Sequence, residues 1–258
     1  VSGGCKMHLF YFIFSQPACQ TPTNFSKAYQ METLADGIGG HRSGDQASKI
    51  AIETFIKATK NFNSKTSSLQ GLILESFTNA NKAIRDLGVG AGTTLTVAEI
   101  NNHFVRFYSI GDSLGALFSG KGNLKYKTIE QSAGGYAKES QLFKDKEISE
   151  TKGGNELIYA LGDETLKIGI SSPIESNSRD LILLSSDGLT ANLSEKKIID
   201  HITTSDIVDR MSGLIKSAHE RMKNPEKKGN PDDLSVILFS FGRSDDIKQE
   251  QKTDINKN

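Results

Sequence analysis

The sequence predicts an α+β domain, with helices and antiparallel strands grouped along the chain instead of alternating one by one. Three observations predict it. Two amphipathic helical patterns follow one another between residues 44 and 87, a run of short β-branched and aromatic segments comes next, and a third helical pattern near 205–223 lies between two apolar strands.

The bounds agree with one domain. A chain of 258 residues with 36% hydrophobic content can bury a sizeable core. We place that domain at residues 1–243 and expect the polar stretch 244–258, "SDDIKQEQKTDINKN", to be a disordered tail. Acidic and basic residues balance at 31 each, so no general basic field exists to hold nucleic acid or an anionic membrane. Cys5 and Cys19 form neither a disulfide framework nor a metal-ligand spacing, and a reducing, cytoplasmic setting is the expectation. No segment is long enough to span a bilayer.

The elements follow in order. "MHLFYFIF", after Lys6 and before "SQPACQ", reads as a first core strand, with an export signal as the alternative. "YQMETLA" is the next strand. From Gly44 the positions Ala47, Ile50, Ala51, Thr54, Phe55 and Ala58 recur at helical spacing. A second helix is expected from Ser68 to Leu87, with Ile73, Phe77, Ala80 and Ile84 on one face and Gly88 as its stop. "GTTLTVAEI", "HFVRFYSIG", "GALFSG" and "LKYKTI" are separated by Asn-Asn, Gly-Asp and Gly-Lys-Gly-Asn turn signals, and predict an antiparallel meander. Residues 130–155 are polar and lack periodicity, which predicts a loop or flap. "DLILLSSDGLT" reads as a buried strand. A helix over about 205–223 carries Ile207, Met211, Leu214, Ile215, Ala218 and Met222 in register, and "LSVILFSF" closes the domain.

The chemistry lies where strands end. Three apolar segments carry an aspartate at one end: Asp36, Asp187 and Asp232. Three carboxylates share a site only when cations compensate them, and an oxygen-only set selects hard divalent ions such as magnesium or manganese. Alone, each of these acids would be an ordinary turn residue.

"ADGIGGHRSGDQAS" resembles the metal-binding signature of the type 2C, metal-dependent protein serine/threonine phosphatases, in their bacterial branch. "AGTTLTVAEI", "YSIGDSLGAL", "LLSSDGLT" and "GNPDDLSVILF" resemble four further motifs of that family, in the same order, from Glu32 to Phe241. The resemblance implies a four-layer α-β-β-α sandwich, two antiparallel sheets packed face to face with a helix pair outside each. It also implies a signalling hydrolase that removes phosphate from phosphoserine or phosphothreonine of a partner protein, such as a cognate kinase or its targets. The family does so through two Mn2+ or Mg2+ ions and a bridging hydroxide, with no covalent phosphoenzyme.

By the same resemblance Asp36 would bridge both ions, the Gly37 carbonyl would ligate one, and Asp187 and Asp232 would complete the carboxylate set. His41 would protonate the leaving oxygen, and Asp112 would help hold a third, weaker ion. The pattern is not complete. "QPACQTPTNFSKAYQM" lacks the arginine and the acids that the family places before its first metal aspartate, so Lys27 and Arg42 stand as candidate phosphate ligands. Ala191 stands where a further aspartate is common, Asp233 where asparagine is, and Ser235 where threonine is. A pseudophosphatase that binds a phosphoprotein or kinase without turnover is the second reading.

Overall fold

The computed structural model describes residues 29–38, 42–60, 62–63, 67–101, 103–140, 156–204, 206–224 and 229–241, and of Tyr29 and Arg42 the backbone alone. The expected first strand at 7–14, the tail at 244–258, Lys27 and His41 lie outside these residues.

Two antiparallel sheets form. One runs in the order β1 (Tyr29–Leu34), β2 (Leu95–Asn101), β3 (Phe104–Ile110) and β6 (Gly169–Ile170), with β7 (Ile174–Glu175) also paired to β3. The other has the order β5 (Leu124–Lys127), β4 (Leu114–Phe118), β8 (Leu181–Ser185) and β9 (Val236–Ser240). Two helices, α1 (Arg42–Lys60) and α2 (Leu69–Arg85), cover the first sheet.

The layering follows from side-chain alternation, which sends successive strand residues to opposite faces. In β2 and β3, Leu95, Val97, Tyr108 and Ile110 join one core with Ala47, Ala51, Phe55, Ile73, Phe77 and Ile84 from α1 and α2. Phe55 and Phe77 meet edge to face at 5.5 Å between centroids, a favoured aromatic geometry. Ala98, Ile100, Val105 and Phe107 point the other way and meet Leu117, Ile182 and Leu184 between the sheets. Leu181 and Leu183 turn outward from β8 onto Ile198, Ile202, Leu214 and Ala218. Those residues belong to α5 (Glu195–Ile202) and α6 (Ile207–Met222). A strand buried on both faces reads as a continuous apolar run, and this explains "LILLS". The fold is therefore the expected four-layer sandwich.

The helix ends also match their sequence. Ser68 accepts from the Gly71 N–H at 2.9 Å and caps α2; Asp206 accepts from the Val208 N–H at 2.7 Å and starts α6 at Ile207, two residues later than expected.

Two expectations need correction. The predicted meander is two hairpins in different sheets, β2–β3 and β4–β5, and the chain crosses between the sheets at Gly111–Ser113. Gly111 makes that crossing with φ +97°, a conformation that side chains disfavour. Residues 130–155 are not all loop, since α3 (Ala133–Glu139) is capped by Ser132, whose Oγ accepts from the Gly135 N–H at 3.0 Å. Its seven residues are too few to show a period. The short helices α4 (Asp187–Thr190) and α5, and the two-residue strands β6 and β7, were likewise not predicted.

A half-buried cation fastens the two sheets far from the acids. Lys125 Nζ on β5 lies 2.7 Å from Asp180 Oδ2 and donates to the Glu175 carbonyl at 2.6 Å, and Glu175 belongs to β7 of the other sheet. Asp180 is 2% exposed and also accepts from the Asn177 N–H at 2.9 Å. Removing one partner of a buried pair leaves an uncompensated charge. Since Lys125 is 22% exposed, Lys125→Met is expected to cost about 2 kcal/mol, below the fully buried range, in urea unfolding. A change below about 0.5 kcal/mol, the size of an ordinary surface substitution, would count against the fastening role.

Candidate active site

Strand register brings the sequence-predicted acids to one end of the sandwich. In the first sheet the end of β1, the start of β2 and the end of β3 coincide, with Leu34 opposite Thr96 and Leu95 opposite Ile110. In the second sheet the start of β4, the end of β8 and the start of β9 coincide, with Leu114 opposite Ser185 and Ser185 opposite Val236. Asp36 follows β1, Asp112 lies between β3 and β4, Asp187 opens α4 after β8, and Asp232 precedes β9. All four emerge at that shared end.

Hydroxyl groups hold the backbone there. The Asp36 N–H donates to Thr94 Oγ1 at 3.1 Å, while the Asp36 carbonyl accepts from the Thr94 N–H at 2.8 Å and from Thr93 Oγ1 at 2.8 Å. Thr94 Oγ1 is in turn 2.7 Å from Ser113 Oγ, which connects Asp36 to the Asp112 crossing. On the other side Ser186 Oγ donates to the Asp233 carbonyl and accepts from the Ser235 N–H, both at 3.0 Å. This stitches Asp187 to the Asp232 segment. Gly37 bridges Thr93, and a Cβ there would collide with the backbone of Gly44 in the first turn of α1. The missing side chain is therefore needed for the close approach of the helix.

The carboxylates feel one another. Burial first, and then Asp187, Asp232, Asp112 and Asp233, push Asp36 from 3.8 to about 8. Burial, reinforced by Asp112, Asp232 and Glu130 against a Gly188 N–H bond, raises Asp187 to about 7. Asp112 rises to about 6, mainly through burial and with Glu130 and Asp232 adding to it, against a bond from its own backbone. Among the described residues, every charge that shifts these three acids is another carboxylate. Also among them, no three His, Cys, Asp or Glu side chains stand close enough to form a closed metal shell. The acids thus share an electrostatic space without closing on a point, as like charges do. An all-oxygen donor set with surplus negative charge fits hard divalent cations.

Of the other expected residues, Arg42 begins α1, with its side chain outside the description, as are His41 and Lys27. Ala191 is the C-cap of α4 and brings no acid. Sequence reasoning missed Glu130, which acts on Asp112 and Asp187 from an unremarkable "TIEQS" stretch.

The sequence profile described as Protein phosphatase 2C matches residues 14–234. This chain belongs to that family. The serine/threonine phosphatase stp of Listeria welshimeri is 28% identical over 220 residues, 80% of this chain and 82% of that protein. PhpP, a protein phosphatase of Streptococcus pneumoniae, is 28% identical over 223 residues, 83% of this chain and 87% of that protein. The fold agrees as well: the serine/threonine phosphatase PstP/Ppp of Mycobacterium tuberculosis superposes with a TM-score of 0.71 at 23% identity, over 83% of this chain and 88% of that one. As a protein phosphatase 2C, the chain is an enzyme of the protein serine/threonine phosphatase class. Among its described residues, no helix is long and apolar enough to cross a membrane.

Proposed function

We propose that this phosphatase 2C hydrolyses phosphoserine and phosphothreonine on a partner protein, as a divalent-metal-dependent signalling enzyme of the cytoplasm acting on a serine/threonine kinase or its targets. One observation carries the reading: Asp36, Asp112, Asp187 and Asp232 emerge at one end of the sandwich, where burial and neighbouring carboxylates raise Asp36, Asp112 and Asp187 and no described cation offsets them. Asp36, Asp187, Asp232 and the Gly37 carbonyl would hold two Mn2+ or Mg2+ ions, with Asp112 serving a weaker third. The chemistry such ions supply is activation of water for attack at phosphorus and neutralisation of phosphoryl charge.

The chain's own residues do the rest. Thr93 and Thr94 fix the Asp36 backbone from both sides, so its carboxylate is presented without reorganisation. Ser186 keeps Asp187 in step with the Asp232 segment. His41 delivers a proton to the departing seryl or threonyl oxygen, which leaves poorly as an alkoxide. Lys27 and Arg42 bind the phosphate in place of the family's arginine, with Arg42 the better suited to a bidentate contact.

Residues 16–31, without arginine, aspartate or glutamate, support the second reading of a binding module without turnover. Hydrolysis of a phosphothreonine peptide with Mn2+, with Mg2+ and with chelator separates the two. Metal-dependent phosphate release that Asp187→Asn lacks is the expected result. No release from protein that still binds Mn2+ would overturn the enzyme reading in favour of the module.

A further inference from the structure

Asp112 is gripped on both flanks. On one side Ser113 bonds to β2, its Oγ 2.7 Å from Thr94 Oγ1 and its carbonyl accepting from Thr96 Oγ1 at 3.0 Å. On the other side Gly111 is held by a single residue, Gln131. The Gly111 N–H donates to Gln131 Oε1 at 3.0 Å, and the Gly111 carbonyl accepts from the Gln131 N–H at 2.9 Å. Gln131 is 4% exposed, and its remaining polar atoms reach elsewhere: Nε2 donates to the Lys167 carbonyl at 3.1 Å, and its own carbonyl accepts from the Ile158 N–H at 2.9 Å. One buried residue thus joins the sheet crossing at Asp112, through side chain and main chain, to the segment that follows residues 141–155.

We propose that Gln131 is the positioning residue of Asp112, setting where its carboxylate stands according to how residues 156–168 are seated against the crossing. This rests on the reading of Asp112 as the ligand of a weaker ion. A residue that orients a ligand from behind changes metal affinity without touching the metal. The neighbouring Glu130, which acts on Asp112 and pairs with Lys138 Nζ of α3 at 3.2 Å, places α3 in the same linkage.

The test uses the full chain and Mn2+ itself. Calorimetric titrations compare wild type, Asp112→Asn and Gln131→Met, which keeps the length of glutamine and removes its side-chain hydrogen bonds. Asp112→Asn is expected to abolish the weakest class of Mn2+ sites. Gln131→Met is expected to weaken that class by about tenfold or more, with the tighter class unchanged, and to lower kcat for p-nitrophenyl phosphate with KM unchanged. A merely structural role would lower Tm and leave the isotherm of the folded protein as in wild type, and that result overturns the proposal. An unchanged isotherm for Asp112→Asn would remove the reading of Asp112 as a ligand and the proposal with it. If Gln131→Met does not fold, the side-chain amide of Gln131 in the wild-type protein decides by NMR during Mg2+ titration. It is expected to shift along the same weak binding curve as the Gly111 amide, and an amide that stays still overturns the proposal.

Discussion

Asp36→Asn is expected to lower kcat at saturating Mn2+ by at least about a thousandfold, about 4 kcal/mol of barrier at 1.36 kcal/mol per decade, while raising the stability of the metal-free protein. The two effects share one cause. Asp36 is buried and lies within the influence of Asp187, Asp232, Asp112 and Asp233. An isosteric amide keeps the backbone bonds to Thr93 and Thr94, so the fold is not disturbed, but it removes the charge that cations require. The sign follows from linkage. Burial and repulsion raise the Asp36 carboxyl from 3.8 unfolded to about 8 folded. The folded state holds the proton more tightly, so ionisation destabilises it as pH rises through that interval. In chelator, the variant should therefore match wild type near pH 4 and exceed it most above pH 8. Thermal melts and steady-state assays read the two arms, and a variant that retains near-wild-type activity would contradict the assignment.

Glu32→Gln is expected to stabilise the protein by up to about 3 kcal/mol above neutral pH, since its carboxyl is raised from 4.5 to about 7 and each decade is about 1.36 kcal/mol, and to have no effect near pH 4. Glu32 is 2% exposed and pairs in register with Ala98, so it faces the apolar layer between the sheets. Gln30 Nε2 donates to its Oε1 at 2.9 Å, whereas Oε2 has no hydrogen-bond partner among the described residues. Burial, opposed only in part by Gln30, raises its pKa from 4.5 to about 7. The neutral acid fits the core, and the penalty develops as pH climbs from 4.5 through 7 and is constant above. Four residues of strand, roughly 13 Å, separate it from Asp36, so the two substitutions should add. Urea unfolding of variant and wild type from pH 4 to 9 gives the difference directly. A gap that does not change with pH would show that Glu32 does not titrate in this interval.

The helices α1, α2 and α6 were readable because each buries residues three or four apart, such as Ala47, Ala51 and Phe55, and so writes its period into the sequence. The acids were readable because each ends or begins an apolar run. Sheet membership was not. The link between β2 and β3 and the crossing between β3 and β4 carry the same kind of turn residues, yet one closes a hairpin and the other changes layer. That choice is made by contacts remote in sequence, among them the bonds of Gly111 to Gln131 and of Ser113 to Thr94 and Thr96. Glu130 and Gln131 were not legible for the same reason: the fold places Gln131 one hydrogen bond from Gly111 across 20 residues of sequence, and sets the Glu130 charge within reach of Asp112. The resemblance supplied the site's chemical roles, and strand register supplies the reason its acids meet.

The central claim is that these carboxylates form a divalent-ion centre, and diffraction at the manganese absorption edge from crystals grown with Mn2+ tests it most directly. The account predicts anomalous density bounded by Asp36, Asp187 and Asp232, absent in Asp187→Asn crystals grown alongside. Manganese bound only elsewhere, with those three side chains turned to solvent, would contradict it.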